Sequence, residues 1–425
     1  MNRTFFAASL LAVLGLASGC HSDDSLRPPP PPPLPSGGAI FLRYVALGNS
    51  ITAGFQSAGI NDSTQRRSYA SLLAAAMGTT FSYPSLFGRG CPPPFTNNVT
   101  QSRVGGGTAT TCDLRVSNST PNNLAVPGAR ATEILSNFGV PASSSNALTL
   151  LFLGGRTQLE AMQDQRPTFV SLWIGNNDVL GSLTNSANPG NPALITPNAL
   201  FTAQYDSITD AIAAFATAEA VLVGVADVTV IPYASSGATY WCLKTGACPG
   251  IPAAGFPPNF TVNTNCAPMA AIPTSKGDSV LVPWTVGVVR ILTAAQPPFP
   301  ATTVDCSVDS DVVLPAEFAA LRNAVAGFNA HIQQVAANHG WAYFDPNPAL
   351  LALRADPQKV APFPDISQVS SGQPIRFGTM FTLDGVHPSS LAHRLIADSL
   401  ASVINQSYGT TLPVPVCGSV TCPAP

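Results

Sequence analysis

The stretch Phe41-Leu42-Arg43-Tyr44-Val45-Ala46-Leu47-Gly48-Asn49-Ser50-Ile51-Thr52 changes character part-way. Phe41 to Leu47 is apolar apart from Arg43 and reads as a buried strand. Gly48-Asn49-Ser50-Ile51-Thr52 then breaks the run with residues that favour turns and helix caps. A serine placed here stands at a strand-to-helix turn, its backbone N–H in the positive end of a helix dipole. That environment suits an acyl-transfer nucleophile, because the same N–H can donate to an oxyanion. It equally suits a serine that only caps a helix.

Working outward, apolar strands alternate with helical patterns. Tyr69 to Met77 reads as helix, Asn123 to Val126 as a short strand, and Ala131 to Asn137 as helix. Thr168 to Ile174 is a strand bounded by Pro167 and Gly175. Phe201, Tyr205, Ile208 and Ile212 share one helical face, and Ala220 to Val225 is the next strand. A long amphipathic helix over Ala316 to Asn338, a strand over Trp341 to Phe344 and a helix over Leu391 to Ile404 complete the series. Such alternation predicts an α/β fold with a parallel sheet covered on both faces, a three-layer α/β/α sandwich. Residues 232–314 interrupt it with a stretch rich in Pro, Gly and Thr that holds four cysteines, which predicts a disulfide-stapled insertion. Residues 81–121 form a loop-rich stretch carrying Cys91 and Cys112.

Three further segments fall beside strand ends, where active sites of open α/β sheets collect. Leu124-Ala125-Val126-Pro127-Gly128 offers an unobstructed backbone N–H at Gly128, or an ordinary turn. Trp173-Ile174-Gly175-Asn176-Asn177-Asp178 offers an amide donor at Asn177, or an Asx turn. Leu383-Asp384-Gly385-Val386-His387-Pro388 sets a carboxylate three residues from a histidine, spacing that can fix the tautomer of His387 and free Nε2 to take a serine proton. His393 is a competing histidine, but it lies inside a helix without a neighbouring carboxylate in sequence.

Taken in order, Ser50, Gly128, Gly175-x-Asn177-Asp178 and Asp384-x-x-His387 resemble the four blocks of the SGNH (GDSL-like) hydrolase superfamily, across about residues 41–406. The resemblance implies a flavodoxin-like sandwich and a serine ester hydrolase. Ser50 would be the nucleophile, His387 the base and Asp384 its partner; the N–H groups of Ser50 and Gly128 and the side chain of Asn177 would form the oxyanion hole. No cofactor or metal is implied. Asn49 departs from the family, which usually has Asp before the nucleophile. The α/β-hydrolase elbow Gly-x-Ser-x-Gly is absent around Ser50. Lipids, simple esters, thioesters and acetylated sugars all occur as substrates in the superfamily. A lipase or esterase, a carbohydrate O-acetyl esterase and a non-catalytic surface binder with this fold are therefore open alternatives. The insertion carries Tyr233, Tyr240, Trp241, Phe256, Phe260 and Trp284. These can line an acyl or sugar site, or form the insertion's own core.

The rest of the chain bears on location. Arg3 and the apolar run Phe5 to Leu16 read as a signal peptide, and Leu16-Ala17-Ser18-Gly19-Cys20 resembles a bacterial lipobox with Cys20 as the lipidated residue. Residues 21–38 follow as a tether containing Pro28 to Pro33, a polyproline II spacer. The expected organisation is signal peptide 1–20, tether 21–38, hydrolase domain 39–410 and tail 411–425. The protein is expected to be exported and lipid-anchored to the cell envelope, at the outer membrane in a Gram-negative cell. Eight further cysteines form an even set, as disulfides in an exported chain do. Pairing neighbours gives Cys91–Cys112, Cys242–Cys248, Cys266–Cys306 and Cys417–Cys422. Charged residues are 10% of the 425, with a net charge of −3 and no basic cluster, which excludes a phosphate-neutralising nucleic-acid surface. The expected partner is a small ester or lipid, with the membrane met only through the anchor.

Overall fold

A computed structural model describes residues 36–136 and 147–416. The signal segment, Cys20, most of the tether, Asn137, Cys417 and Cys422 lie outside the described residues.

Four strands form the central sheet: β1 (Tyr44–Gly48), β2 (Phe169–Trp173), β3 (Glu219–Val223) and β4 (Ala342–Phe344). They lie side by side in chain order, and all three pairings are parallel. Side chains alternate across a strand, and here the alternation divides two cores. Val45, Leu47, Val170, Leu172, Ala220 and Leu222 face one side. Tyr44, Ala46, Phe169, Trp173, Val221 and Val223 face the other. Both faces being covered explains why the strands read as continuous apolar runs.

The helices that matter for the site are α1 (Ser50–Ala53), α2 (Tyr69–Met77), α3 (Ala131–Leu135), α4 (Gln158–Gln165), α5 (Asn177–Leu183), α6 (Asn198–Ala213), α7 (Pro315–His339), α8 (Asn347–Arg354) and α9 (Ser390–Tyr408). Helices α6 and α7 bring Phe201, Tyr205, Phe328 and Ile332 onto the first face. Helices α2 and α9 bring Tyr69, Leu73, Leu400 and Ile404 onto the second. The result is the expected three-layer sandwich. Emptying one central position such as Leu172, which is fully buried, would cost about 2–5 kcal/mol.

Asn123 to Val126 corrects the reading of a short strand: it makes only an isolated parallel bridge to Ala46. The Asn123 side chain accepts from Ala125 N–H and donates to the Thr52 carbonyl. Three backbone bonds still lay the segment along β1, ending with Val126 N–H on the Gly48 carbonyl at 3.2 Å.

Residues 232–314 fold as a small lobe. Ala234–Ser236 pairs with Leu281–Pro283, and Phe260–Val262 with Thr302–Val304. Cys242–Cys248 and Cys266–Cys306 are bonded there, as is Cys91–Cys112 in the loop-rich stretch. Tyr240 and Phe260 are fully buried in the lobe's own core, with Trp241 and Phe256 packed against it. Trp284 lies on the seam, 5.7 Å from the Phe377 ring. These aromatics are therefore spent on the lobe's core and its seam.

Candidate active site

Ser50 stands where β1 gives way to α1, and what precedes it is tightly held. Gly48 N–H donates to Gln158 Oε1 at 2.9 Å, and Gln158 Nε2 donates back to the Gly48 carbonyl at 2.9 Å. A Cβ at Gly48 would meet Thr52 Oγ1 at 2.4 Å and the Trp173 carbonyl at 2.6 Å, so only glycine fits. Asn49 caps α1, its side chain accepting from Ile51 N–H at 3.0 Å. The cap is thus the residue that replaces the family's Asp, and Ser50 is the first helical residue rather than the cap. In that first turn its N–H has no intrahelical partner.

From the other end of the chain, the loop before α9 brings Asp384 and His387 to Ser50. His387 Nε2 lies 2.9 Å from Ser50 Oγ, and His387 Nδ1 lies 2.8 Å from Asp384 Oδ2. Burial raises the Asp384 pKa, but the neighbouring His387 charge and hydrogen bonds outweigh it and hold the carboxyl down at about 2. An ionised carboxylate only accepts, so Nδ1 carries a proton; in the neutral ring Nε2 then accepts from the serine hydroxyl. Asp384 Oδ1 also accepts from Thr382 Oγ1 and from the N–H groups of Val386 and His387. The Phe55 ring packs 4.9 Å from the imidazole, centroid to centroid.

Asn177 opens α5 at the end of β2. Its Nδ2 donates one hydrogen to the Ala129 carbonyl at 2.9 Å, which leaves the other available. Asp178 accepts from Ala131 N–H and Thr196 Oγ1. Burial raises its pKa to about 6 against those bonds. The Asn177-Asp178 pair thereby pins the turn that holds Gly128, which is exposed and sits at φ 85°. Ser50, Asn177 and His387 line one cleft. Asp384 lies behind His387, and Gly128 is not on that wall. The cleft is apolar: Val228, Ile231, Leu350, Leu353, Met380 and Ile396 line it, and no residue of 232–314 does.

His393 is elsewhere. It is fully buried, its Nδ1 accepts from Tyr69 N–H at 3.2 Å, and burial with the nearby His387 charge lowers its pKa to about 3. Its ring is thus bonded to α2, while Ser50 Oγ is bonded to His387. Among the described residues, no group of three or more His, Cys, Asp or Glu side chains is placed to hold a metal ion.

Against known families, the model of the GDSL-like lipase/acylhydrolases matches residues 44–400. The chain belongs to this family. It is accordingly a hydrolase of ester bonds. Among solved structures, the chain is similar to the acetylxylan esterase of Geobacillus stearothermophilus, with 11% identity and a TM-score of 0.36 over 85% of this chain and 93% of that one. It is also similar to the extracellular lipase of Streptomyces rimosus, with 17% identity and a TM-score of 0.37 over 86% and 98%. No curated protein sequence matches it.

Two residues of this GDSL-like hydrolase that hold the site carry no signal in the sequence. Gln158 acts on Gly48 from 110 residues away. Ala58 N–H donates to Asp384 Oδ2 at 2.6 Å across 326 residues. Neither belongs to a motif, and neither residue type announces such a role.

Proposed function

We propose that this GDSL-like hydrolase works as a serine esterase through an acyl-enzyme on Ser50. The observation that carries the reading is the unbroken relay Asp384–His387–Ser50, at 2.8 and 2.9 Å. His387 Nε2 takes the serine proton as Oγ attacks the ester carbonyl. The oxyanion is met by the Ser50 N–H and the free hydrogen of the Asn177 amide, the two donors on the cleft wall. Collapse expels the alcohol with the proton from His387. Water then attacks the acyl-enzyme with His387 again as base, while Asp384 holds the ring and balances its charge. A non-catalytic binder has no need of such a relay.

The acyl group is apolar and of medium length on this reading, because an acetyl group would leave most of the apolar cleft wall without a partner. We also propose that the protein is exported and lipid-anchored at Cys20. The lipobox-like segment and the three disulfides among the described residues support this. Cys20→Ser should then move the protein from the detergent to the aqueous phase on phase separation, and retention in detergent would sink the anchor. The test of function is a fluorophosphonate probe. It should label the wild type and fail to label a folded Ser50→Ala variant; a labelled variant overturns the assignment.

A further inference from the structure

We infer that Arg103 is a positioning residue for Asp384, acting through the Ser57–Ala58 turn; the inference rests on the triad reading above. The acceptors of Asp384 are unequally supplied. Oδ1 takes its hydrogen bonds from within the same loop, from Thr382, Val386 and His387. Oδ2, the oxygen that holds the imidazole, takes its second bond from the distant Ala58 N–H. The neighbouring Ser57 N–H donates to Thr382 Oγ1 at 2.9 Å. Two consecutive N–H groups from one turn therefore address the acid of the triad and its hydroxyl partner.

That turn is held in an unfavourable shape. Ser57 and Ala58 sit at φ 53° and 51°, the left-handed region that side chains with a Cβ avoid. Such conformations persist only where the surroundings impose them. Here Arg103 Nη1 donates to the Ala58 carbonyl at 2.8 Å and to the Pro93 carbonyl at 2.6 Å. Phe95 N–H donates to the Ser57 carbonyl at 2.8 Å, and the Arg103 guanidinium lies 3.8 Å from the Phe95 ring centroid. Asn98 adds a parallel clamp, its Nδ2 donating to the carbonyls of Leu383 and Ile375 at 2.7 and 3.0 Å. Arg103 and Asn98 both lie in the loop closed by Cys91–Cys112. None of these residues lines the cleft. Loosening the turn should therefore slow chemistry without weakening substrate binding.

The full chain is assayed on p-nitrophenyl octanoate as wild type, Ser50→Ala, Arg103→Ala, Arg103→Lys and Arg103→Ala with Ala58→Gly. Arg103→Ala should lower kcat about tenfold or more with KM within about twofold. Adding Ala58→Gly should recover a several-fold part of that loss, since glycine takes a positive φ without strain. A kcat within about twofold of wild type overturns the proposal. So does a joint loss in kcat and KM that Ala58→Gly does not relieve, which marks a general structural role. Where Arg103→Ala shows no cooperative unfolding, Arg103→Lys is read by the same criteria, because its ammonium can still reach one carbonyl. Turnover by Ser50→Ala would instead overturn the triad reading; an inactive Ser50→Ala beside an undiminished Arg103→Ala overturns only this proposal.

Discussion

At the scale of single residues, burial disfavours charge on two groups near Ser50, and they end in opposite charge states. Asp384 stays charged because hydrogen bonds and His387 compensate it, whereas His393, close behind on α9, loses its proton because nothing does. The sequence places both histidines near one loop and cannot rank them by environment; only Asp384's position three residues before His387 favours one of them. Short motifs made Ser50, Asn177, Asp384 and His387 legible, because each owes its placement to neighbours in sequence. Gln158, Ala58 and Arg103 owe theirs to partners between 10 and 326 residues away, so no local pattern marks them. His393 also makes a measurable claim. Its pKa is lowered from 6.5 to about 3, so within that window the unfolded chain binds a proton that the folded one refuses. Stability should therefore fall as pH drops from about 6.5 towards 3. His393→Gln keeps an acceptor for Tyr69 N–H but cannot titrate. Urea unfolding at about pH 7 and about pH 5 should show a smaller loss in the variant. Asp178, raised to about 6, pulls the other way in both proteins and cancels from the comparison. An equal loss in both would sink the claim.

At the scale of elements, the strands and long helices were readable because each satisfies a strong period: two cores sit on alternating residues of β1, β2 and β3. Helix α8 was not. It spans eight residues, begins among Pro346 and Pro348, and buries no residue fully, so its pattern says little until its neighbours are known. Yet it lines the cleft through Leu350 and Leu353, as α9 does through Leu395 and Ile396. Chain-length preference should therefore reside in α8 and α9. Leu353→Trp should fill the cleft and lower kcat/KM on p-nitrophenyl octanoate about tenfold, a loss typical of a mis-sized apolar pocket, while the acetate is little affected. If wild type already cleaves the acetate faster and releases acetate readily from acetylated xylan, the acyl-chain reading fails and the carbohydrate esterase takes its place.

At the scale of the whole molecule, the lobe of residues 232–314 touches the site only indirectly. Its buried Tyr240 packs 5.0 Å from Phe363, and its Trp284 packs against Phe377, both in the segment that leads to Asp384. The lobe thus braces the loop that carries Asp384 and His387, while the cleft wall lies outside it. That arrangement separates two quantities that a cleft-lining insertion would have coupled. Opening Cys266–Cys306 with a double Ala variant frees a loop of 40 residues and should cost about 2–4 kcal/mol of stability. A looser lobe transmits to Phe363 and Phe377, so kcat should fall on octanoate and acetate alike. The ratio of the two rates should stay at its wild-type value, because no atom that contacts the acyl chain has changed. Tm and the two rates, measured on the same preparation, decide the matter. A ratio that collapses towards unity would mean that the lobe shapes the acyl site after all, and would return the aromatics of the insertion to the role of substrate contacts.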